Sequence, residues 1–349
     1  EYHYLGETYT RAGNDTPGVD SSQMPSKLLP ARDGYVQIHR GHEGTLTLLT
    51  KEPRLEEENL PREEYDAMLL HWLADHDKAE VAERAQELRM AYTEVRSPDE
   101  LALDPQHVAR AMFEEIEEPI AGTLVLPGGP FKLSSALWRT EQAPLLGEHT
   151  GKIISPRRRK YPLSTPASDT PKLPYSGVRI LDLGTLIAAP IATQVLADLG
   201  AEVIKIEPPH GDYLRGTGGP VGQPLGNARS DHPYNRRPWF NELNRGKYGV
   251  ALDLSHARGA DIFKRLVRTS DVVIENFSPR VMENLGLTYP VLQLEKPDLI
   301  MISVSAFGAT GPYRNRLGFG PTIDAASGIT YLTGYQGGPP IKPGNYFSD

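Results

Sequence analysis

Asn244-Arg245-Gly246-Lys247 sets two cations beside a glycine, the residue types that hold phosphate: the charges neutralise it and the glycine lets the backbone come close. The spacing is not that of a P-loop, because Tyr248 follows where Ser or Thr is needed and Asn241 stands in place of the first glycine. Read as residues alone, the segment is equally a charged turn ahead of a strand. Gly184-Thr185-Leu186-Ile187-Ala188-Ala189-Pro190 follows an apolar run, as a dinucleotide-binding loop would, but it lacks the second and third glycines of that fingerprint. Glu207, closing the next apolar run, imitates the ribose-binding acid of such a site. Without close backbone approach it has no pyrophosphate to complement, which disfavours an NAD-type oxidoreductase. The plain reading of 184–190 is a tight strand-to-helix turn of small residues. No His-Glu-x-x-His or Gly-x-Ser-x-Gly occurs, and the histidines lack ligand spacing, so no metal site is expected. The chain has no cysteine, which excludes thiol nucleophiles, disulfides and cysteine-held metal clusters.

These segments need a scaffold, and 349 residues are enough for about two domains at roughly 100–200 residues each. A balance of 37 Lys and Arg against 45 Asp and Glu, a net charge of −8, argues against nucleic acid as partner. The longest uncharged stretch, Leu183 to Ala197, is broken by Pro190 and Gln194 and falls short of the ~18 residues a spanning helix needs, so no membrane association and a soluble, cytoplasmic protein are expected. Glu1-Tyr2-His3-Tyr4 does not read as a signal peptide. The abrupt close at Asn345-Tyr346-Phe347-Ser348-Asp349 makes the chain read as a piece of something longer.

Clustered proline and glycine punctuate the chain. Residues 1–30 are polar and read as a linker. Residues 31–118 read as a small α+β unit: a turn at Asp33-Gly34 feeds an alternating strand to His39, and helices follow over Pro61–Asp77 and Val81–Tyr92. Ser97-Pro98-Asp99-Glu100 is a capping-box start, and Asp104-Pro105 opens a helix predicted to align Val108, Met112 and Ile116. Residues 119–176 read as a proline-rich extended connector with a basic run at Arg157-Arg158-Arg159-Lys160. From 177 to 349 apolar runs alternate with helices: strands at Val178–Leu183, Glu202–Ile206, Val250–Leu254, Asp271–Glu275 and Leu299–Val304, helices at Ile191–Leu199, Ala257–Thr269 and Arg280–Leu285, and a long loop from Pro208 to Pro238. The predicted class is α/β, a Rossmann-like parallel-sheet large domain in the C-terminal block with a small α+β domain in the N-terminal block.

Leu181-Asp182-Leu183, Ala189-Pro190, the run Leu196 through Gly200 to Pro209, Asn244-Arg245-Gly246-Lys247, Glu275-Asn276-Phe277 and the close from Asp324 through Thr333-Gly334 to Gly338-Pro339-Pro340 resemble, in order and spacing, the N-terminal half of the class III CoA-transferases, the CaiB/BaiF family. Asp33-Gly34-Tyr35-Val36, Val95-Arg96-Ser97-Pro98-Asp99-Glu100-Leu101, Asp104-Pro105-Gln106-His107, Pro130-Phe131-Lys132-Leu133-Ser134 and Ala143 to Thr150 resemble the family's later portion. The order is permuted relative to a single member, as in a tandem fusion carrying the end of one copy (31–118, returning through 119–176) and the beginning of the next (177–349).

The resemblance implies CoA transfer between an acyl-CoA and a free carboxylic acid, with coenzyme A as substrate rather than bound cofactor. It places the nucleophile at Asp349, a carboxylate already ionised at neutral pH that needs no partner base. It implies acyl-aspartyl and aspartyl-CoA intermediates. For CoA contacts it points to Ile187 and Ala188, to Asn244, Arg245, Gly246 and Lys247, to Asn276, Phe277 and Ser278, and to Gly318, Phe319 and Gly320. Pro208 and Asn284-Leu285 stand where some members carry basic residues. Phe319 stands where the related racemases carry a histidine, which favours transferase over racemase. Arg157 to Lys160 either reaches the 3′-phosphate of CoA or forms a solvated linker face. Family members form interlocked dimers, so a homodimer or an intrachain pseudo-dimer is implied. The alternatives are a non-catalytic CoA-binding or assembly half of a fusion, and a racemase-like isomerase.

Overall fold

The computed structural model describes residues 26–39, 45–57, 60–134, 138, 140–151, 172–216, 232–344, 347 and 348. Strand β1 (Ser26–Ala31) starts inside the stretch read as linker and turns at Arg32-Asp33 into β2 (Gly34–His39), with Ala31 opposite Gly34. β3 (Thr93–Glu94) pairs antiparallel with β2 through Val36 and Gln37. Against this sheet lie α1 (Thr45–Thr50), α2 (Arg62–Ala74) and α3 (Lys78–Glu87). The periodic residues of the two longer helices, among them Leu69, Leu73, Val81 and Ala85, close over Val36 and Ile38 in one buried cluster. Glu100 carboxylate accepts the Ser97 N–H (2.8 Å) at the start of α4 (Pro98–Leu103), the return bond expected of the capping box.

Asp104 caps α5 (Pro105–Ala109), accepting from the Gln106 and His107 N–H groups. This helix is shorter than the spacing predicts. Ala111 takes φ 46°, and the chain leaves as β4 (Phe113–Glu118), which pairs antiparallel with β5 (Gly122–Pro127). Steps of four fit both a helix and one face of a strand, and Met112 and Ile116 follow the second. The segment 122–127, expected as connector, is therefore a ladder strand.

The C-terminal block is built on β6 (Arg179–Asp182), β7 (Glu202–Glu207), β8 (Tyr248–Ala251), β9 (Val272–Glu275) and β10 (Ile300–Ser303). They form one parallel sheet in the order β10-β9-β6-β7-β8. That is the Rossmann order, the chain starting in the middle, filling one side and then crossing to the other. The crossings are made by α6 (Ala188–Asp198), α7 (Pro238–Asn244), α8 (Ala257–Val267), α9 (Arg280–Asn284) and α10 (Tyr289–Glu295). Leu181, Leu183, Phe263, Val267, Val273 and Leu299 form the main core on one face. Helix α7 lies beyond the predicted loop, and β8 begins at Tyr248 and ends earlier than predicted because the chain turns at Asp253, whose carboxylate holds the Ser255 N–H (2.9 Å) ahead of α8. Two short helices, α11 (Gly320–Ala326) and α12 (Ile329–Leu332), follow β10.

The two blocks meet in the loop before α11. Gln86 Nε2 donates to the Leu317 carbonyl (2.9 Å) while its Oε1 accepts the Leu317 N–H (2.8 Å). Gln106 Nε2 donates to the Thr310 carbonyl (2.7 Å) and its Oε1 accepts the Tyr313 N–H (2.8 Å). The Arg96 N–H donates to the Ala325 carbonyl (3.1 Å).

Candidate functional site

In a sheet of this order the crevice opens at the carboxyl ends of β6 and β9, where the strand order reverses. The loop after β6 is fixed there residue by residue. Gly184 N–H donates to Asp182 Oδ1 (2.7 Å), and Lys205 Nζ donates to the Gly184 carbonyl. A Cβ on Gly184 would fall 2.6 Å from Ala189 Cβ and 2.8 Å from Asp182 Oδ1, so the loop needs glycine here for space. Thr185 N–H donates to Asn276 Oδ1 (2.7 Å), and Asn276 Nδ2 returns a bond to the Thr185 carbonyl (2.8 Å). Leu186 then takes φ 57°, a left-handed value costly for a branched side chain, and Ile187 opens α6. The amino end of α6 thus rises from the same crevice, with the partial positive charge of its first turn.

Beneath the loop lies a buried charge cluster. Asp182 is 0% exposed and its Oδ2 accepts from Thr193 Oγ1 (2.7 Å) and Lys247 Nζ (2.8 Å). Lys205, 2% exposed, pairs with Asp212 at 3.3 Å. Burial pushes the Lys247 ammonium below its ordinary pKa, and the Asp182 carboxylate opposes that shift. At the end of β7, Arg215 makes a two-point bond to Glu207 (2.6 and 2.8 Å), and its guanidinium carbon sits 3.4 Å from the Phe240 ring centroid. Burial raises the Glu207 carboxyl, but Arg215 and the Asp212 N–H outweigh it and hold the group below its usual value.

The model of "CoA-transferase family III" matches residues 1–150 and 175–349. The chain belongs to that family. It is 41% identical over 206 residues to the succinyl-CoA–L-malate CoA-transferase alpha subunit of Chloroflexus aurantiacus, covering 59% of this chain and 43% of that one. It is 38% identical over 179 residues to the succinate–glutarate CoA-transferase of Agrobacterium fabrum, covering 51% and 44%. A crystal structure of a CaiB/BaiF family protein from Brucella suis shares 38% identity with a TM-score of 0.45, over 50% of this chain and 44% of that one. The chain spans less than half the length of these relatives.

Within this family III chain the residues singled out from the sequence fall into three places. Asn276 and the Thr185 peptide meet at the crevice, Ala188 begins α6 three residues on, and Phe277 and Ser278 follow Asn276; Phe277 N–H donates to Glu275 Oε2 (2.7 Å) and its ring packs on the main core. The Ile187 side chain is buried against Leu214, Phe240 and Leu243, so its contribution to the crevice is its backbone. Asn244, Arg245, Gly246 and Lys247 precede β8 and do not present a joint cationic surface. Lys247 Nζ reaches inward to Asp182, the Pro190 carbonyl (2.9 Å) and Asn244 Oδ1 (3.0 Å), whereas exposed Arg245 turns outward to Glu242 (2.7 Å) and Asp198 (3.0 Å). Gly246 takes φ 74° at the turn between them.

Gly318, Phe319 and Gly320 lead into α11 beside the chain leaving β10, where a Cβ on Gly318 would lie 2.6 Å from Ala306 Cβ. The Phe319 ring stacks on His39 of the N-terminal block, centroids 4.4 Å apart. Burial, with Lys342 adding to it, pushes the His39 imidazole down to about 4, so it is neutral at pH 7. Asp349 and the basic run 157–160 lie outside the described residues. Among the described residues no group of three His, Asp or Glu could hold a metal ion, and no helix is long and apolar enough to cross a membrane.

Sequence reasoning missed Asp182, Lys205, Asp212, Arg215 and His39 as parts of this architecture. For the first two a signal existed: Asp182 directly follows Ile180-Leu181 and Lys205 stands between Ile204 and Ile206, in strands of a parallel sheet whose faces are covered, where a charge must find a partner. Arg215 and His39 are joined to the site only by folding.

Proposed function

We propose that this chain belongs to an enzyme moving CoA from an acyl-CoA donor to a carboxylic acid acceptor, with Asp349 as covalent nucleophile. Membership of CoA-transferase family III over both matched segments carries the reading. Relatives named as transferases between succinyl-CoA and malate, or succinate and glutarate, support short carboxylic acids as the substrate class. The Asp349 carboxylate attacks the thioester carbonyl, the C–S bond breaks and CoA leaves as thiolate, giving an acyl-aspartyl anhydride. The thiolate attacks the aspartyl carbonyl and releases the first acid as carboxylate. The acceptor carboxylate then attacks the aspartyl-CoA thioester to give a second anhydride, and the returning thiolate takes the new acyl group and frees Asp349. The crevice between β6 and β9 supplies this chain's contribution to CoA binding, through the first turn of α6 and the Asn276-held loop.

The division of the chain follows the same reading. The small domain of a first copy runs from β1 at Ser26 to the end of β5 at Pro127, its return segment and linker lead on to residue 176, and 177–349 is the first half of a second copy. The cross-block bonds of Gln86 and Gln106 support an intrachain arrangement that stands in for the interlock of a dimer. The reaction is placed in the cytoplasm.

One observation favours the alternative of a non-catalytic half: Lys247, the cation that the Asn244–Lys247 segment turns inward, is paired with Asp182. The test separates the two. The full-length protein is incubated with succinyl-CoA, trapped with hydroxylamine and digested for mass spectrometry. Modification at Asp349, with CoA exchange abolished in Asp349→Ala, is the expected result. An unmodified Asp349 with exchange undiminished in the variant would remove the mechanism.

A further inference from the structure

Asp324 has no obvious structural reason to be an aspartate. It sits in α11, it is 0% exposed, and among the described residues it forms no ion pair. Among the described residues its buried Oδ2 has no hydrogen-bond partner. Other buried carboxylates have a cation, Asp182 Lys247, Asp212 Lys205 and Asp104 Arg96, or, as Glu275 does, accept from a backbone N–H and a hydroxyl together. A carboxylate taken out of water without a cation is destabilising. Burial accordingly raises the Asp324 pKa, and the one side-chain bond it has among the described residues works against that rise.

That one bond comes from Ser348, whose hydroxyl donates to Asp324 Oδ1. Ser348 immediately precedes Asp349 in sequence. Helix α11 is itself a fixed platform: Thr322 Oγ1 accepts the Phe319 N–H at its start (2.8 Å), and the Ala325 carbonyl takes the Arg96 N–H from the N-terminal block (3.1 Å). A costly buried acceptor on an anchored helix therefore grips the residue beside the candidate nucleophile.

We propose that Asp324 is a positioning residue for the Ser348-Asp349 dipeptide, acting through the Ser348 hydroxyl and touching no substrate itself. The proposal rests on Asp349 as nucleophile. A carboxylate that must meet a thioester carbonyl along a defined line loses rate when its backbone can swing, while binding of the CoA moiety at the β6–β9 crevice is untouched. A merely structural Asp324 would change stability and leave the kinetic parameters of the folded fraction alone.

The test compares Asp324→Ala, Ser348→Ala, their double variant, Asp324→Asn and Asp349→Ala in the full-length protein, measuring kcat and KM for succinyl-CoA. Asp324→Ala and Ser348→Ala are each expected to lower kcat roughly tenfold with KM changed by less than about twofold, and the double variant to be no worse than either single one. Asp324→Asn, whose amide oxygen still accepts from Ser348, is expected to keep most of kcat. Full kcat in either alanine variant, losses that multiply in the double variant, or a change confined to KM would overturn the proposal. If Asp349→Ala is inactive while the Asp324 and Ser348 variants behave as wild type, positioning fails and the nucleophile stands. If Asp349→Ala stays active, the nucleophile reading fails and positioning falls with it. Should Asp324→Ala not fold, the contrast between Ser348→Ala and Asp324→Asn decides.

Discussion

The side-chain amide of Asn276 and the peptide of Thr185 satisfy each other twice, Oδ1 taking the Thr185 N–H at 2.7 Å and Nδ2 giving to its carbonyl at 2.8 Å. The two residues lie 91 positions apart in the chain and at the ends of adjacent parallel strands, β6 and β9. Only a carboxamide can do this, because it alone carries a donor and an acceptor at the spacing of a peptide group. The bond closes the point where the strand order reverses and sets the take-off of α6, whose first turn faces the crevice. A ligand anion bound there meets a loop whose Thr185 peptide is already held in place.

Asn276→Ala is expected to destabilise the fold by about 1–3 kcal/mol, the cost of leaving a part-buried N–H and carbonyl without partners. Asn276→Asp keeps the acceptor but sets a carboxylate oxygen against the Thr185 carbonyl, so it should destabilise at least as much as Asn276→Ala and, unlike it, weaken CoA binding further through the added negative charge at the crevice. Chemical denaturation and calorimetric titration with CoA check the two effects separately. Wild-type stability in both variants would show that the paired bonds do not set the loop.

Lys247 was singled out in the sequence for phosphate, and the fold assigns it a structural task. Its Nζ pairs with an Asp182 that is 0% exposed. Lys247→Met should therefore cost about 3–5 kcal/mol, because it strands a buried carboxylate, and Asp182→Asn in the same protein should restore a large part of that loss. Urea melts of the single and double variants measure it. A Lys247→Met variant of normal stability with weakened CoA binding would return the residue to the phosphate role.

Much of the fold was legible because the strands of the C-terminal block are apolar runs closed by turn residues, and a buried parallel sheet leaves that mark on its sequence. The Asn276 and Ala188 positions were reachable through the resemblance, since both follow strands. What stayed hidden were pairings across distance. Nothing local in Gln86 or Gln106 announces that each will bond the backbone of a loop more than 200 residues away. The hairpin of β4 and β5 was hidden for a different reason, the four-residue spacing of Val108, Met112 and Ile116 being compatible with two periods at once. The direction of the Lys247 side chain was open too, because a lysine before a strand can turn inward or outward and only the buried Asp182 decides.

His39 joins the blocks through its stack on Phe319, and its ionisation gives that junction a pH dependence. Burial, with Lys342 as the second cause, pushes the imidazole from 6.5 down to about 4. Between those two values the unfolded chain binds a proton that the folded chain does not, so stability falls as the pH falls through this window and is fully present above it. The shift corresponds to about 3 kcal/mol lost between pH 6.5 and pH 4. His39→Asn removes the titrating group and leaves every carboxylate in place, so subtracting its denaturation curves from those of the wild type isolates the imidazole. The difference in stability is expected to change in the variant's favour on acidification across this range. Parallel curves would mean that the imidazole stays solvated in the folded protein, and that its contact with Phe319 is too loose to exclude water.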